Sequence, residues 1–493
     1  MLTPGTAQPV DLSEVVHGSP YQAYTYSYPH KTAYRALQPG VSLDALWKDE
    51  DCSALFLYLH IPFCEHRCGF CNLFTQARPE DGLTARYLAQ LEVEADIIQG
   101  AIGSPTSSVA TGTPDVARVQ QVAIGGGTPT FLTVDELERL LRLTRSLGVT
   151  SDVPLSVEVS PATVDDDKLA LLSGVGTDRV SIGIQSFDEA EAGRLGRPQR
   201  RGDVLRALEQ IRDHEFPILN LDLIYGGEGQ SLSQWMRCVR EAVTWQPEEV
   251  YLYPLYVRPL TGLGRQQRSW DDQRLQAYRA ARDHLLAQGY RQTSMRMFTR
   301  GAKPQPNDLP DDLPIDLPDD LPNDRPAMNA MAVDRAAAPQ DSVAPEYHCQ
   351  TDGMIGLGCG ARSYTRDVHY STEYAVGRRG VRSIIADYLK RDRAALATAQ
   401  YGIRLTPEDR RRRFVILSLM QADGFSRDAY RIQFGQDALV DLPQLAALPE
   451  AGLAQICDQN IQLTATGLER SDAIGPWLYS QRVRHLMQDY ELS

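Results

Sequence analysis

The sequence predicts an α/β protein whose core is a parallel sheet, either an open doubly wound sheet or a curved partial barrel. A small, mostly helical and winged-helix-like domain follows it. Two observations carry this reading. Between residues 54 and 256, short apolar runs alternate with longer amphipathic ones, and strand–helix units in succession wind a parallel sheet right-handedly. After a proline-rich break the pattern restarts at Thr406-Pro407-Glu408, with an N-cap, a proline at the first helical position and an acid in the first turn.

The strands are expected at Ala54–His60, Val119–Ile124, Leu155–Val159, Arg179–Ile184, Ile218–Ile224 and Val250–Tyr256. They are short, β-branched or aromatic, and bounded by Gly, Pro or Asp, as strands covered on both faces should be. Helical periodicity fills the intervals at Thr84–Gln99, Val134–Ser146, Asp165–Ser173, Gly202–His214 and Ser231–Thr244. Val134–Ser146 shows the pattern: Thr133 caps its start, Asp135 and Glu136 suit the positive end of the dipole, and Leu137, Leu140, Leu141 and Leu143 form the buried stripe. In either architecture ligands meet the C-terminal ends of the strands.

A seventh strand is expected at Tyr290–Phe298. Beyond it, Asp-Leu-Pro recurs at Asp308, Asp312, Asp316 and Asp320. Proline at that frequency denies both helix and central strand, and residues 301–346 read as a disordered acidic insertion, a low-complexity loop rather than a partner-binding tail. Past Thr406 come the helical run Phe414–Met420, the segment Leu463-Thr-Ala-Thr-Gly467 and a final helix near Pro476–Met487. Winged helices often bind DNA, but Arg410–Arg413 spread right round a helix and read as solvated surface. The expected organisation is an N-terminal extension packing on the barrel (1–53), the core (54–300), the insertion (301–346), a glycine-rich segment completing the core (347–400) and the C-terminal domain (401–493).

Composition narrows the function. The 493 residues are 42% apolar and 23% charged, ordinary globular values. The formal net charge of −14 disfavours nucleic-acid binding, which needs a Lys/Arg surface. Half of that charge lies in the insertion, with seven aspartates and no basic residue between Asp308 and Asp324. The apolar run Ala54–Leu59 is far short of the ~20 residues that cross a bilayer. Met1–Val16 has no basic and apolar regions of a secretory signal, so a cytoplasmic location is expected.

Eight cysteines are too sparse for a disulfide scaffold, yet three fall together in Cys64-Glu65-His66-Arg67-Cys68-Gly69-Phe70-Cys71, directly after the first strand. Thiolate softness selects an iron–sulfur cluster or zinc. A structural zinc usually takes four protein ligands as two separated pairs, whereas three thiolates on a four-iron cluster leave one iron open to a substrate. His66 would strain a tetrahedral site from within the loop. At the end of the second strand, Gly125-Gly126-Gly127-Thr128-Pro129 offers backbone polar groups unobstructed by side chains.

Together, Tyr58-x-His60-Ile61-Pro62-Phe63-Cys64-x3-Cys68-x2-Cys71 and the Gly-Gly-Gly-Thr-Pro-Thr run resemble the radical S-adenosylmethionine (SAM) superfamily, in the branch of the oxygen-independent coproporphyrinogen III oxidases and their heme-chaperone relatives. Glu158 in Val-Glu-Val-Ser-Pro, Gln185 in Ile-Gly-Ile-Gln-Ser-Phe, Arg197 in Arg-Leu-Gly-Arg and Asp222 in Asp-Leu-Ile-Tyr-Gly agree in order, as does Gly356-Leu-Gly-Cys-Gly-Ala-Arg-Ser363. The resemblance implies a partial (β/α)6, TIM-like radical SAM barrel. It also implies a [4Fe–4S] cluster on Cys64, Cys68 and Cys71, with SAM chelating the open iron and cleaved to a 5′-deoxyadenosyl radical. Gly126, Gly127 and Thr128 would hold the methionyl end of SAM, and Tyr58, Glu158, Gln185, Arg197 and Asp222 would line the nucleotide. No catalytic side chain beyond the cluster is implied. The implied partners are a small-molecule, tetrapyrrole-like substrate and an electron donor such as flavodoxin or ferredoxin.

Departures concern the substrate. The oxidases carry a further cysteine two residues past the last ligand, where this chain has Leu73; heme chaperones also lack it. Tyr347-His348-Cys349-Gln350-Thr351-Asp352 matches neither group. His348, Cys349 and Cys359 read as packing residues rather than an auxiliary metal or heme site. Arg296, Arg362 and Arg366 are candidates for binding substrate carboxylates. The expected reaction is oxidative decarboxylation of porphyrinogen propionates, with heme trafficking as the alternative.

Overall fold

The computed structural model describes residues 11–103, 117–258, 260–265, 273–300 and 347–490. The acidic insertion at 301–346 lies outside them. A thirteen-stranded mixed sheet organises the chain. At its centre Leu55–Ile61, Val119–Gly126, Leu155–Val159, Arg179–Gln185, Ile218–Tyr225 and Glu249–Pro254 lie side by side in chain order, all parallel. The sheet does not close on itself, so this is a partial barrel. Met354–Leu357, from the glycine-rich segment, adds a parallel strand outside Leu55–Ile61. Arg362–Tyr364, Val368–Ser371, Thr398–Arg404 and Arg35–Ser42 then extend the sheet antiparallel. The expected boundary at residue 400 falls inside Thr398–Arg404, so the sheet continues to Arg404 and the C-terminal domain starts after it.

Local signals place the helices. Val134–Ser146 carries a full capping box between Thr133 and Glu136, and Leu232–Thr244 carries one between Ser231 and Gln234. Leu137 and Leu140 are fully buried beside Leu57, Leu59 and Ile61, in one core that runs the length of the parallel strands. The expected single strand Tyr290–Phe298 is instead a hairpin. Ser294 Oγ accepts from the N–H groups of Arg296 and Met297 at 3.3 and 3.1 Å, and the chain turns back so that Tyr290–Gln292 pairs with Met297–Arg300.

The C-terminal domain has helix Pro407–Leu419, helix Arg427–Phe434 and a three-stranded sheet of Phe425–Ser426, Asn460–Leu463 and Ala454–Ile456, a winged-helix-like arrangement. The final helix is two helices, Ser471–Trp477 and Gln481–Gln488, because Ser480 caps a fresh start by accepting from Val483 N–H. Arg410–Arg413 are not uniformly solvated: Arg413 is buried, bonded to the Gln350 carbonyl and set 5.4 Å from the Tyr364 ring. The N-terminal extension packs on the barrel through Leu43 and Trp47 and, earlier, through Tyr21 against Tyr225 and Tyr24 against Tyr253. Before and between these contacts, Val15, Tyr28, Ala33 and Tyr34 join the core of the C-terminal domain, and the Tyr28 hydroxyl donates to Asp409 at 3.1 Å. Among the described residues no helix is long and apolar enough to cross a membrane.

Candidate active site

The cysteine loop is a ring closed at its base. Strand Leu55–Ile61 runs through Pro62 into Phe63–Cys64, which pairs with Gln76–Ala77. Gln76 N–H donates to the Pro62 carbonyl at 2.6 Å, and Arg78 N–H to that of Cys64 at 3.0 Å. Gly69, at the apex, donates to the Leu195 carbonyl at 2.9 Å and accepts from Leu263 N–H at 2.8 Å. His60 braces the ring from inside. Its Nε2 lies 3.0 Å from the Phe74 carbonyl oxygen, which only accepts, so the proton is on Nε2 and Nδ1 accepts from the Tyr58 hydroxyl at 3.1 Å. Burial pulls His60 down to about 4, which keeps it neutral.

Each thiol has a polar partner. Cys64 Sγ faces Thr128 Oγ1 at 3.6 Å, Cys68 Sγ faces Arg197 Nη1 at 3.5 Å, and Cys71 Sγ faces Thr75 Oγ1 at 3.7 Å. All three thiols line one cavity of about 370 Å³ at the C-terminal ends of the parallel strands. Gly126, Gly127, Thr128, Glu158, Gln185, Arg197 and Asp222 line it too. Tyr58 does not; it stands behind the wall, holding His60.

The glycine run is dictated by close approach. A Cβ on Gly125 would lie 2.6 Å from the Glu158 carboxyl carbon, one on Gly126 2.5 Å from the His60 ring, and one on Gly127 2.5 Å from the Phe63 carbonyl oxygen. Gly126 also has φ +112° and donates its N–H to Glu158 Oε2 at 3.1 Å. Gln185 sits in the left-handed region at φ +67°, where the strand bulges, and folds its carboxamide over Gly183.

Arg197 is held by four acceptors: Cys68 Sγ, the Gly183 carbonyl at 2.6 Å, Ser160 Oγ at 3.3 Å and Gln199 Oε1 at 2.7 Å. Glu158 stands deep in the fold but open to the cavity, and that depth pushes its carboxyl up, against the Gly126 N–H and Arg179. Burial likewise pushes Asp222 up to about 7, although Asn220 donates to it at 2.7 Å and Arg179 is near.

Sequence reasoning missed Tyr24 and Tyr253, which line the cavity and stack on each other with centroids 6.4 Å apart. It also missed Gln199, which fixes Arg197 while donating to the carbonyls of Ile184 and Ser186 at 2.9 and 3.0 Å. The alternation Tyr24-x-Tyr26-x-Tyr28 was the available signal for the first. Two carboxylate candidates fall away. Arg296 is buried in an ion pair with Asp472 and lies 4.0 Å from the Tyr24 ring, whereas Arg366 is at the surface beside Asp367 at 3.5 Å. Cys359 is fully buried against the Tyr87 hydroxyl at 3.8 Å, and Cys349 lies against Gln350 at 3.5 Å.

The donor set suits an iron–sulfur cluster. It offers three soft sulfurs on one wall, while His66 is turned to Arg78 at 3.2 Å and supplies no fourth ligand. Among the described residues no three His, Cys, Asp or Glu side chains converge as a single ion requires.

Fold and site together define a radical SAM protein, and residues 58–242 match the radical SAM superfamily model. Residues 405–469 match the HemN C-terminal domain model, and the two matches together support the branch that holds HemN and HemW. Its cofactors are a [4Fe–4S] cluster and SAM. The chain is 30% identical to the heme chaperone HemW of Bacillus subtilis over 264 residues, 51% of this chain and 65% of that protein. It is 27% identical to the oxygen-independent coproporphyrinogen III oxidase of Pseudomonas aeruginosa over 432 residues, 84% of this chain and 83% of that one. The chain thus spans just under two thirds of the chaperone's length. The coproporphyrinogen III oxidase HemN of Escherichia coli has the same fold, with TM-score 0.67, 21% identity, and coverage of 95% of this chain and 98% of that one.

Proposed function

We propose that this protein is a radical SAM oxidoreductase acting on a porphyrinogen-like substrate, by oxidative decarboxylation of propionate side chains. The observation that carries the reading is the single cavity shared by the three thiols, the glycine turn and the Glu158, Gln185, Arg197 and Asp222 side chains. In this reading Cys64, Cys68 and Cys71 hold three irons, Gly126, Gly127 and Thr128 take the methionyl end of SAM, and Glu158, Gln185, Arg197 and Asp222 take the nucleotide. Bound there, cluster and SAM supply one-electron cleavage of the sulfonium and hydrogen abstraction from the substrate.

The residues of the chain do the positioning. Thr128, Arg197 and Thr75 direct polar hydrogens at the sulfurs, which stabilises them as thiolates and tunes the cluster potential. Tyr24, Tyr253 and Leu255 give the cavity an apolar side that excludes water from the reacting groups. Asp222 and Glu158 are acceptors for ribose hydroxyls or an amino group.

A heme-trafficking role is the second reading, and Leu73 favours it. This side chain lines the cavity and is 47% exposed, where the oxidases place a cysteine. The experiment is anaerobic cluster reconstitution followed by SAM, dithionite and coproporphyrinogen III. Formation of 5′-deoxyadenosine with release of CO₂ supports the oxidase. Stoichiometric hemin uptake without turnover overturns it in favour of trafficking.

A further inference from the structure

Immediately behind the cavity wall, Arg362 lies against the Tyr26 ring, Lys31 hydrogen-bonds its phenol, and Arg258 adds its charge to theirs on that phenol. The Arg362 guanidinium lies 5.0 Å from the Tyr26 ring and 5.6 Å from the Tyr364 ring, and its Nη1 donates to Ser27 Oγ at 2.8 Å. The Lys31 ammonium stands 3.6 Å over the Tyr374 ring. Tyr374 in turn donates its hydroxyl to the carbonyl of Asn72, in the cysteine loop, at 2.8 Å. Tyr26 packs on Tyr24 with ring centroids 5.1 Å apart, and Tyr24 lines the cavity. The cations therefore sit one aromatic layer from the thiols.

Among the described residues their charge is opposed by phenols and by no carboxylate ion pair. Three other arginines set into the fold meet carboxylates, Arg296 with Asp472, Arg179 with Glu249 and Arg282 with Glu469, while Arg413 and Arg197 are held by neutral acceptors. The acidic groups that face Arg362 are phenols, those of Tyr364, Tyr26, Tyr34 and Tyr58. Among the described residues no Asp or Glu forms an ion pair with Lys31, Arg258 or Arg362. Burial pushes the Tyr26 phenol up, yet Lys31, Arg362 and Arg258 outweigh it and leave it below its usual value. Burial also pulls Lys31 down to about 8, with Arg362 and Arg258 adding to the pull and Tyr26 opposing it. Confining three cations without a counter-ion is costly, and an anion brought among them offsets that cost. Lys31, Arg258, Arg362 and Tyr26 each keep part of their surface open, so an anion can reach them.

We propose that Lys31, Arg258 and Arg362 form the seat for a carboxylate of the substrate, entered from the cavity past Tyr24 and Tyr26. Arg362 offers a planar fork, Lys31 a point charge, and the Tyr26 hydroxyl a donor. The proposal deepens the oxidase reading and rests on it for the nature of the substrate. It names residues that the sequence did not single out, apart from Arg362, and places the acidic end of the substrate on the N-terminal side of the cavity.

The test uses the full, cluster-reconstituted chain and its Lys31→Met and Arg258→Met variants. The probes are coproporphyrin III, its tetramethyl ester and a small polycarboxylate, benzenehexacarboxylate, each followed by fluorescence or calorimetry, with SAM binding and iron content as controls. The expected result is a loss of about tenfold to a hundredfold in affinity for both polycarboxylates in each variant. Binding of the ester, SAM affinity and iron content stay as in the wild type. Coproporphyrin binding that is equal in wild type and variants overturns the seat and leaves the oxidase reading standing. Benzenehexacarboxylate binding that depends on Lys31 and Arg258, with no coproporphyrin binding at all, keeps the seat and overturns the tetrapyrrole reading. Binding of neither probe to the wild type overturns both.

Discussion

His60 donates from Nε2 to the carbonyl oxygen of Phe74 across 3.0 Å, and this bond ties the far end of the cysteine loop to the strand from which the loop departs. The three thiols lie between these two residues. Their spacing is therefore set in part by a side chain that bonds to none of the three sulfurs.

Replacing that side chain should loosen the loop without dissolving the barrel. His60→Leu leaves the Phe74 carbonyl and the Tyr58 hydroxyl unpaired in a buried place, at a cost of about 2 kcal/mol. The expected outcome is a native far-ultraviolet dichroism spectrum with iron per chain reduced by half or more after reconstitution. Full iron loading would show that the loop holds its shape alone.

Arg197→Lys removes a fork that reaches Cys68, Gly183, Ser160 and Gln199 together. A lysine supplies one point charge and cannot span these acceptors. SAM affinity should fall by about tenfold or more, with iron content retained. Equilibrium dialysis with labelled SAM reads the first quantity and iron assay the second.

Two glycine substitutions should separate a cradle from a bystander. In Gly126→Ala the new methyl meets the His60 ring at 2.5 Å, at a φ of +112°. This should destabilise the protein by about 2–3 kcal/mol and abolish SAM binding. Gly202→Ala, in helix Arg201–Asp213, meets no atom within 4 Å and should be neutral or stabilising by about 0.5 kcal/mol. Thermal unfolding of both variants checks the contrast.

Asp222 should make the ligand-free protein lose stability as pH rises. Its folded value is raised to about 7 from 3.8, chiefly by burial, with Glu158 adding and Arg179, Asn220 and Ser181 opposing; Tyr251 and Tyr253 also face it. The folded state therefore holds the proton more tightly. The contribution of Asp222 is fully present below about pH 4 and is lost progressively up to about pH 7. Asp222→Asn should flatten the slope and be more stable than the wild type at pH 8 by about 1–2 kcal/mol, allowing for water in the cavity. Melting curves at pH 5 and pH 8 decide this. An unchanged slope would show that Asp222 is ionised throughout.

Much of the barrel was legible because its determinants are local. Helix Val134–Ser146 is bounded as expected, residue for residue, since Thr133 and Glu136 cap it within one turn. The cysteines and the glycine run were legible for the same reason. What escaped depends on distant partners. Arg296 read as free to bind substrate because Asp472, which holds it, lies 176 positions away. The tyrosines of the N-terminal segment carry a strand-like alternation, and nothing local says that one reaches the cavity while another joins a different core. The hairpin at Tyr290–Arg300 hid inside a continuous β-prone run, because a single serine makes its turn.

The segment that carries Tyr24 is pinned on both sides by residues far along the chain: Ala23 and Thr25 N–H donate to Asp472 at 3.1 and 2.9 Å, and Tyr28 bonds Ser480 and Asp409, each at 3.1 Å. A ribosome delivers those partners some hundreds of residues after the segment itself. Closing so long a loop is entropically uphill until its far contacts exist. One flank of the chamber therefore depends on contacts between distant parts of the chain, whereas the cysteine loop is closed by near neighbours, so disrupting Asp472 or Asp409 should open that flank and leave the loop formed.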